Sequence, residues 1–152
     1  MPAGEYNITV DRGSTFKFHV TFYNSAEEAV DLETYSASMQ VRKSYTTENI
    51  LMSVTGSTGD TNKGVVGGGS TGYFTGTGGV AGIGGIELNS STAGVIGTTG
   101  GIFLSVDHVT MQNMPAGRHF YDLELTNLSD STVTRILQGR FEVEPEVTRW
   151  QK

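Results

Sequence analysis

Thr15-Phe16-Lys17-Phe18-His19-Val20-Thr21-Phe22-Tyr23 decides the fold class. Phe16, Phe18, Val20 and Phe22 alternate with Thr15, Lys17, His19, Thr21 and Tyr23. Period two places four apolar side chains on one face of a strand. A helix would scatter the same side chains around its circumference. Working outward, Tyr6 to Val10 reads as a shorter strand, with Asp11, Arg12 and Gly13 as the turn between them. Downstream, Ala37, Met39 and Val41 alternate within Ser36 to Ser44. Ile50 to Val54 follows as another strand, and Ile102, Leu104 and Val106 alternate again. Asp107 to Met114 is weakly patterned and predicts one helical turn. Tyr121, Leu123 and Leu125 line one face of His119 to Leu125, with Phe120, Asp122 and Glu124 on the other. Asn127 to Ser131 predicts a hairpin turn. Thr132 to Gln138 and Arg140 to Val143 close the pattern. The glycine between them, Gly139, predicts a bulge or a strand that changes partner. About seven or eight short strands without a long helix predict an all-β immunoglobulin-like sandwich.

Set into this pattern is a glycine-rich block. The 152 residues include 21 glycines, and 17 of them lie in the 46 residues from Gly56 to Gly101. The rest of the chain carries only Gly4, Gly13, Gly117 and Gly139. One domain over 1–152, a glycine-rich insertion over 56–101 and a C-terminal tail over 145–152 are therefore expected. The block lacks the three-residue period and the proline of collagen. Its composition alone suits a surface insertion, since loop closure costs little extra as length grows. Its apolar residues, Val65, Val66, Tyr73, Phe74, Val80, Ile83 and Ile86, are handles by which it could pack on its own domain, on a copy or on a partner. Trp150, the sole tryptophan, lies beyond Pro145 and either folds back or anchors a neighbour. These eight residues are the candidate interface.

The formal net charge of −6 and the scattered basic residues argue against a duplex-binding surface. With no cysteine, disulfides, thiolate zinc sites and cysteine nucleophiles are excluded. The opening Met-Pro-Ala-Gly-Glu-Tyr lacks a basic stretch followed by an apolar one, and no apolar run is long enough to span a bilayer. Neither a signal peptide nor a membrane partner is expected, and synthesis in a cytoplasm is. Gly67 to Gly72 matches the dinucleotide pattern G-x-G-x-x-G, and Gly68 to Gly72 matches the nucleophile elbow G-x-S-x-G. Both patterns need a strand-to-helix turn, which this stretch does not predict. His19, His108 and His119 fall into no ligand spacing, so no metal or cofactor is expected. Glu142, Glu144 and Glu146 share one strand face and read as a solvated edge.

Two groups of phrases carry a family resemblance. Val30-Asp31-Leu32-Glu33-Thr34-Tyr35 leads into Met39-Gln40-Val41-Arg42-Lys43-Ser44. Met114-Pro115-Ala116-Gly117 leads into Tyr121-Asp122-Leu123-Glu124-Leu125, and the match ends with Leu137 to Val143 and Pro145 to Arg149. Over residues 5–55 and 86–149 the chain resembles the immunoglobulin-like N-terminal domain of tailed-phage upper-baseplate proteins, common in phages of cyanobacteria. The resemblance implies a non-enzymatic virion protein, assembled in the host cytoplasm and held in a tail, baseplate or neck by copies of itself and by other virion proteins. A capsid-surface decoration protein is the alternative within that class. A module binding cell-surface glycan through Tyr6, Tyr23, Tyr45 and Tyr73 is the alternative outside it. Two departures stand out. The glycine block replaces a short turn, and His119 occupies the place, two after the turn glycine, where the family typically has tyrosine. Either the corner is weakened there or histidine supplies its hydrogen bond instead.

Overall fold

The computed structural model describes residues 4–44, 48–58, 63–75, 79–89 and 100–145. In chain order the strands are β1 (Gly4–Glu5), β2 (Ile8–Asp11), β3 (Phe16–Thr21), β4 (Tyr35–Arg42), β5 (Ile50–Thr58) and β6 (Gly64–Gly67). A single 3-10 turn at Gly69–Thr71 precedes β7 (Val80–Gly82), β8 (Gly84–Leu88) and β9 (Gly101–Val106). The short helix α1 (His108–Gln112) leads to the long strands β10 (Gly117–Asn127) and β11 (Thr132–Glu144). The chain is all-β, as its alternating patterns predict.

The eleven strands of the described residues form one curled, mixed sheet, in the order β1-β11-β10-β4-β5-β8-β9-β3. This differs from two separately bonded sheets. The join lies at the end of β5, where Gly56, Ser57 and Thr58 pair in parallel with Ile86, Glu87 and Leu88 of β8. Gly56 permits that approach, because a Cβ there would fall on the Ile86 carbonyl. The earlier part of β5, Met52 to Thr55, pairs instead with β6, which pairs in turn with β7. Curling brings the two ends of the sheet over a common core. The rings of Phe16 on β3 and Phe141 on β11 meet edge to face at 5.5 Å, and those of Tyr6 and Phe18 lie 5.6 Å apart.

The core is built from one face of each strand. Ala37, Met39 and Val41 of β4, Tyr121, Leu123 and Leu125 of β10, and Phe141 and Val143 of β11 are all buried. Along β3 only Phe16 is fully buried. Phe18, Val20 and Phe22 are half-covered, because β3 is the last strand of the sheet.

More strands are present than the sequence patterns predict, and the surplus comes mainly from the glycine block. The block supplies β6, β7 and β8. A glycine strand shows no side-chain alternation, so its pairing leaves no period to read.

At Gly139 the second of the two expectations holds. The outer edge of β11 bonds β1 at Leu137 and Gln138, then β2 from Phe141 onward. The bulge sits upstream. Leu123 faces Leu137 while Glu124 faces Arg135, which leaves Ile136 as the extra residue. Between β1 and β2, the Tyr6 carbonyl turns over Gly139 to accept a 2.7 Å hydrogen bond from the buried Tyr121 hydroxyl. Asn7 Oδ1 fills the ladder in its place, accepting from the Arg140 amide at 3.0 Å.

His119 makes a hydrogen bond back across the turn that precedes it. It is buried, and its Nε2 donates to the Pro115 carbonyl at 2.7 Å. The carbonyl partner assigns the proton to Nε2. Among the described residues Nδ1 has no hydrogen-bond partner.

Candidate interaction surface

The glycine block packs on its own domain. Val65, Phe74 and Ile86 are buried in the chain's own core, and Val66 is half-buried. Phe74 bonds Ile50 in both directions at 2.8 Å, which stitches the block to the start of β5. At the far end, Asn89 adopts the left-handed conformation, φ 59°, and closes the block against the β3–β4 connection. Its Oδ1 accepts from the Leu32 and Gly100 amides at 3.0 and 3.2 Å, and its Nδ2 donates to Asp31 at 2.9 Å. An ion pair of 3.0 Å joins Lys63, just before β6, to the nearly buried carboxylate of Glu87 on β8. A charge this well covered needs its partner, so the pair ties the two strands together.

Small residues let the block lie close on α1. A side chain at Gly67 would meet the Thr110 methyl at 2.9 Å, and one at Gly82 would fall on the Thr110 hydroxyl. Asp107 organises the contact. Its Oδ1 accepts from the Thr110 hydroxyl at 2.5 Å and from the Ile83 amide at 3.1 Å, while its own amide donates to the Ile83 carbonyl at 3.0 Å.

With the glycines packed inward, the larger apolar side chains of the same segments point outward. Ile83 is 77% exposed, although Asp107 holds its backbone on both sides. Val80 on β7 is 58% exposed and Tyr73 48%. The Thr71 hydroxyl lies 2.7 Å from both the Gly68 and the Tyr73 carbonyls and shares its one proton between them, which holds the Tyr73 backbone close to the turn. Val109, 52% exposed, joins them from α1. These four residues stand on segments that touch one another: Val80 lies against Gly69, Ile83 against Asp107, and α1 against Gly67 and Gly82. Apolar groups on a fixed backbone lose little entropy when covered, which is what an association surface requires.

The structure thus divides the sequence candidates. Val65, Phe74 and Ile86 serve the core, Val66 lies between, and Tyr73, Val80 and Ile83 face out. Trp150 and Glu146 lie outside the described residues. Val109 escaped the sequence reading, because a five-residue helix is too short for its two apolar residues, Val109 and Met111, to set up a period.

The same stretch that matches two enzyme motifs forms a 3-10 turn between β6 and Tyr73, and among the described residues no helix of a βαβ unit or nucleophile elbow follows it. Among the described residues no three His, Asp or Glu side chains are grouped to hold a metal, and no helix is long and apolar enough to cross a membrane. Tyr6, Tyr23 and Tyr73 are each about half exposed but stand on separate elements. Tyr45 lies outside the described residues. Glu142 and Glu144 alternate with buried Phe141 and Val143, as a solvated face does.

Comparison with family models finds no match to the chain, and comparison with curated proteins finds none either.

Proposed function

We propose that this chain is a non-enzymatic structural protein of a tailed-phage virion, in a tail, baseplate or neck, and that it works by cohesion between copies. One observation carries the assembly part of this reading: Tyr73, Val80, Ile83 and Val109 face outward, with Asp107 holding the Ile83 backbone, Thr71 the Tyr73 carbonyl and the β6–β7 ladder Val80. The virion context comes from the resemblance. The residues that carry it occupy structural positions, with Leu32, Met39, Val41, Met114, Tyr121, Leu123 and Leu125 all buried. The pairing of β2 in parallel with the last strand, and the order β11-β10-β4-β5, suit an immunoglobulin-like connectivity.

The test is assembly of the purified chain, followed by light scattering and electron microscopy. Multimers are expected, and Ile83→Asp should dissolve them while leaving the β circular dichroism unchanged. An antibody to the chain should label the tail or its junction on intact particles. A chain that stays monomeric at every concentration, or particles that take no label, would overturn the reading. Hundreds of copies released with emptied heads would move it to the capsid surface.

A further inference from the structure

We infer that the N-terminal segment carrying β1 and β2 exchanges between copies, so that residues 4–11 of one copy pair with β11 of the next. The inference rests on the assembly reading above and names the contact that would do the joining.

Three observations support it. First, among the described residues β1 and β2 pair with β11 alone, through six residues in parallel register. Second, β2 and β3 follow one another in the chain without pairing. A groove of about 320 Å³ runs between them, lined by residues 6–11 and 14–18. The segment is therefore joined to β3 by a four-residue connection, Arg12 to Thr15, and by no shared ladder, so its only ladder among the described residues is the one on β11. Third, every specific anchor of the segment lies on a partner surface that any copy presents. The Tyr6 carbonyl accepts from the Tyr121 hydroxyl, Asn7 accepts from the Arg140 amide, the Tyr6 ring lies tilted against Phe18, and Ile8 is buried opposite Phe141. None of these depends on the connection at 12–15. A second copy's segment would reproduce them all, which is the condition for a low-cost swap.

The connection can serve as the hinge. Gly13 holds a left-handed turn, φ 86°, closed by a backbone bond from the Ser14 amide to the Asp11 carbonyl at 3.2 Å, and beside it Arg12 donates at 2.9 Å from its amide to the Glu144 carbonyl and from its Nε to the Gln112 carbonyl. Opening the hinge releases the Ser14 bond and the Arg12 bonds and lets Gly13 extend; the Glu144 and Gln112 carbonyls of the next copy offer Arg12 the same acceptors. Four extended residues reach at most about 14 Å, so the exchanging copies must abut along this edge. A one-way exchange from each copy to the next builds a ring or a filament, and a reciprocal one builds a dimer.

The chain has no cysteine, so an introduced pair reports pairing without background. Thr9 and Glu142 are partners across β2 and β11 and point away from the core. Adjacent strand partners lie within reach of a disulfide. Thr9→Cys/Glu142→Cys is assembled, oxidised with glutathione disulfide and run on a denaturing gel without reductant. Linked dimers or a ladder, collapsing to one chain with dithiothreitol and exceeding the yield of either single-cysteine variant, are expected. Asp11→Cys/Glu144→Cys, the next partners along, repeats the test if the first pair folds poorly. Multimers by light scattering whose disulfides all lie within one chain would overturn the exchange and leave the assembly reading standing. A chain that is monomeric at every concentration would overturn both.

Discussion

Gly139→Ala is the substitution that most sharply tests how the N-terminal segment is held. A Cβ at Gly139 would fall on the Tyr6 carbonyl oxygen, with the Tyr6 carbonyl carbon at 2.9 Å and Asn7 Oδ1 at 3.0 Å. Two of these three atoms belong to backbone, so no flexible side chain can swing away. The carbonyl must move, and it is the acceptor of the 2.7 Å bond from Tyr121. Overpacking costs about 1–3 kcal/mol, and losing a buried hydrogen bond adds about 0.5–1.5 kcal/mol. The chain entropy removed by alanine returns about 0.4–1 kcal/mol. The expected loss is about 0.5–4 kcal/mol, or roughly 1–16 °C in Tm for a domain of this size.

Gly4→Ala is the matched control. Gly4 pairs with the same strand, and its Cβ would meet Leu137 and the Ile136 carbonyl at ordinary distances of 3.5 and 3.6 Å. It should change stability little, in the stabilising direction. Urea unfolding followed by tyrosine and tryptophan fluorescence reads both variants. Tyr121→Phe closes a double-mutant cycle. It should cost about 1 kcal/mol in the parent and nearly nothing beside Gly139→Ala, because the bond is then already broken. Equal stability of the two alanine variants, or an additive cycle, would refute the reasoning.

Two further outcomes follow from local chemistry. His119→Ala removes a buried ring and its bond to the Pro115 carbonyl, so urea unfolding should show a loss of about 2–4 kcal/mol. Hydrogen bonds from the Thr132 amide and hydroxyl lower the pKa of Asp130, at the tip of the β10–β11 hairpin, below the ordinary aspartate value. A carboxylate with a depressed pKa stabilises the folded form above its unfolded value, and loses that effect as pH falls through the folded one. The Asp130 carboxyl resonance and the Thr132 amide should therefore titrate together, below the usual aspartate range. A midpoint at or above that range would refute the contact.

The strands that carry large side chains were legible because burial on one face imposes period two. Phe16 to Phe22, Ala37 to Val41 and Tyr121 to Leu125 lie where their alternation puts them. The turn at Asn127 to Ser131 and the helical turn after Asp107 were legible from their turn residues and weak patterning. The glycine block was not. Val65, Phe74 and Ile86 differ from Tyr73, Val80 and Ile83 only in which way the backbone faces them, and glycine neighbours carry no sign of that.

By itself, the order of residues determined an all-β chain with a glycine-rich interruption and no cysteine chemistry, since composition and period are local properties. Tertiary structure alone decided that the interruption is part of the sheet, that Asp107 fixes Ile83 outward, and that Tyr121 reaches Tyr6 across Gly139. Each of these joins residues distant in the chain through backbone groups, and backbone groups are the same at every position. Only the approach of two segments in space gives one carbonyl or amide a partner that another lacks.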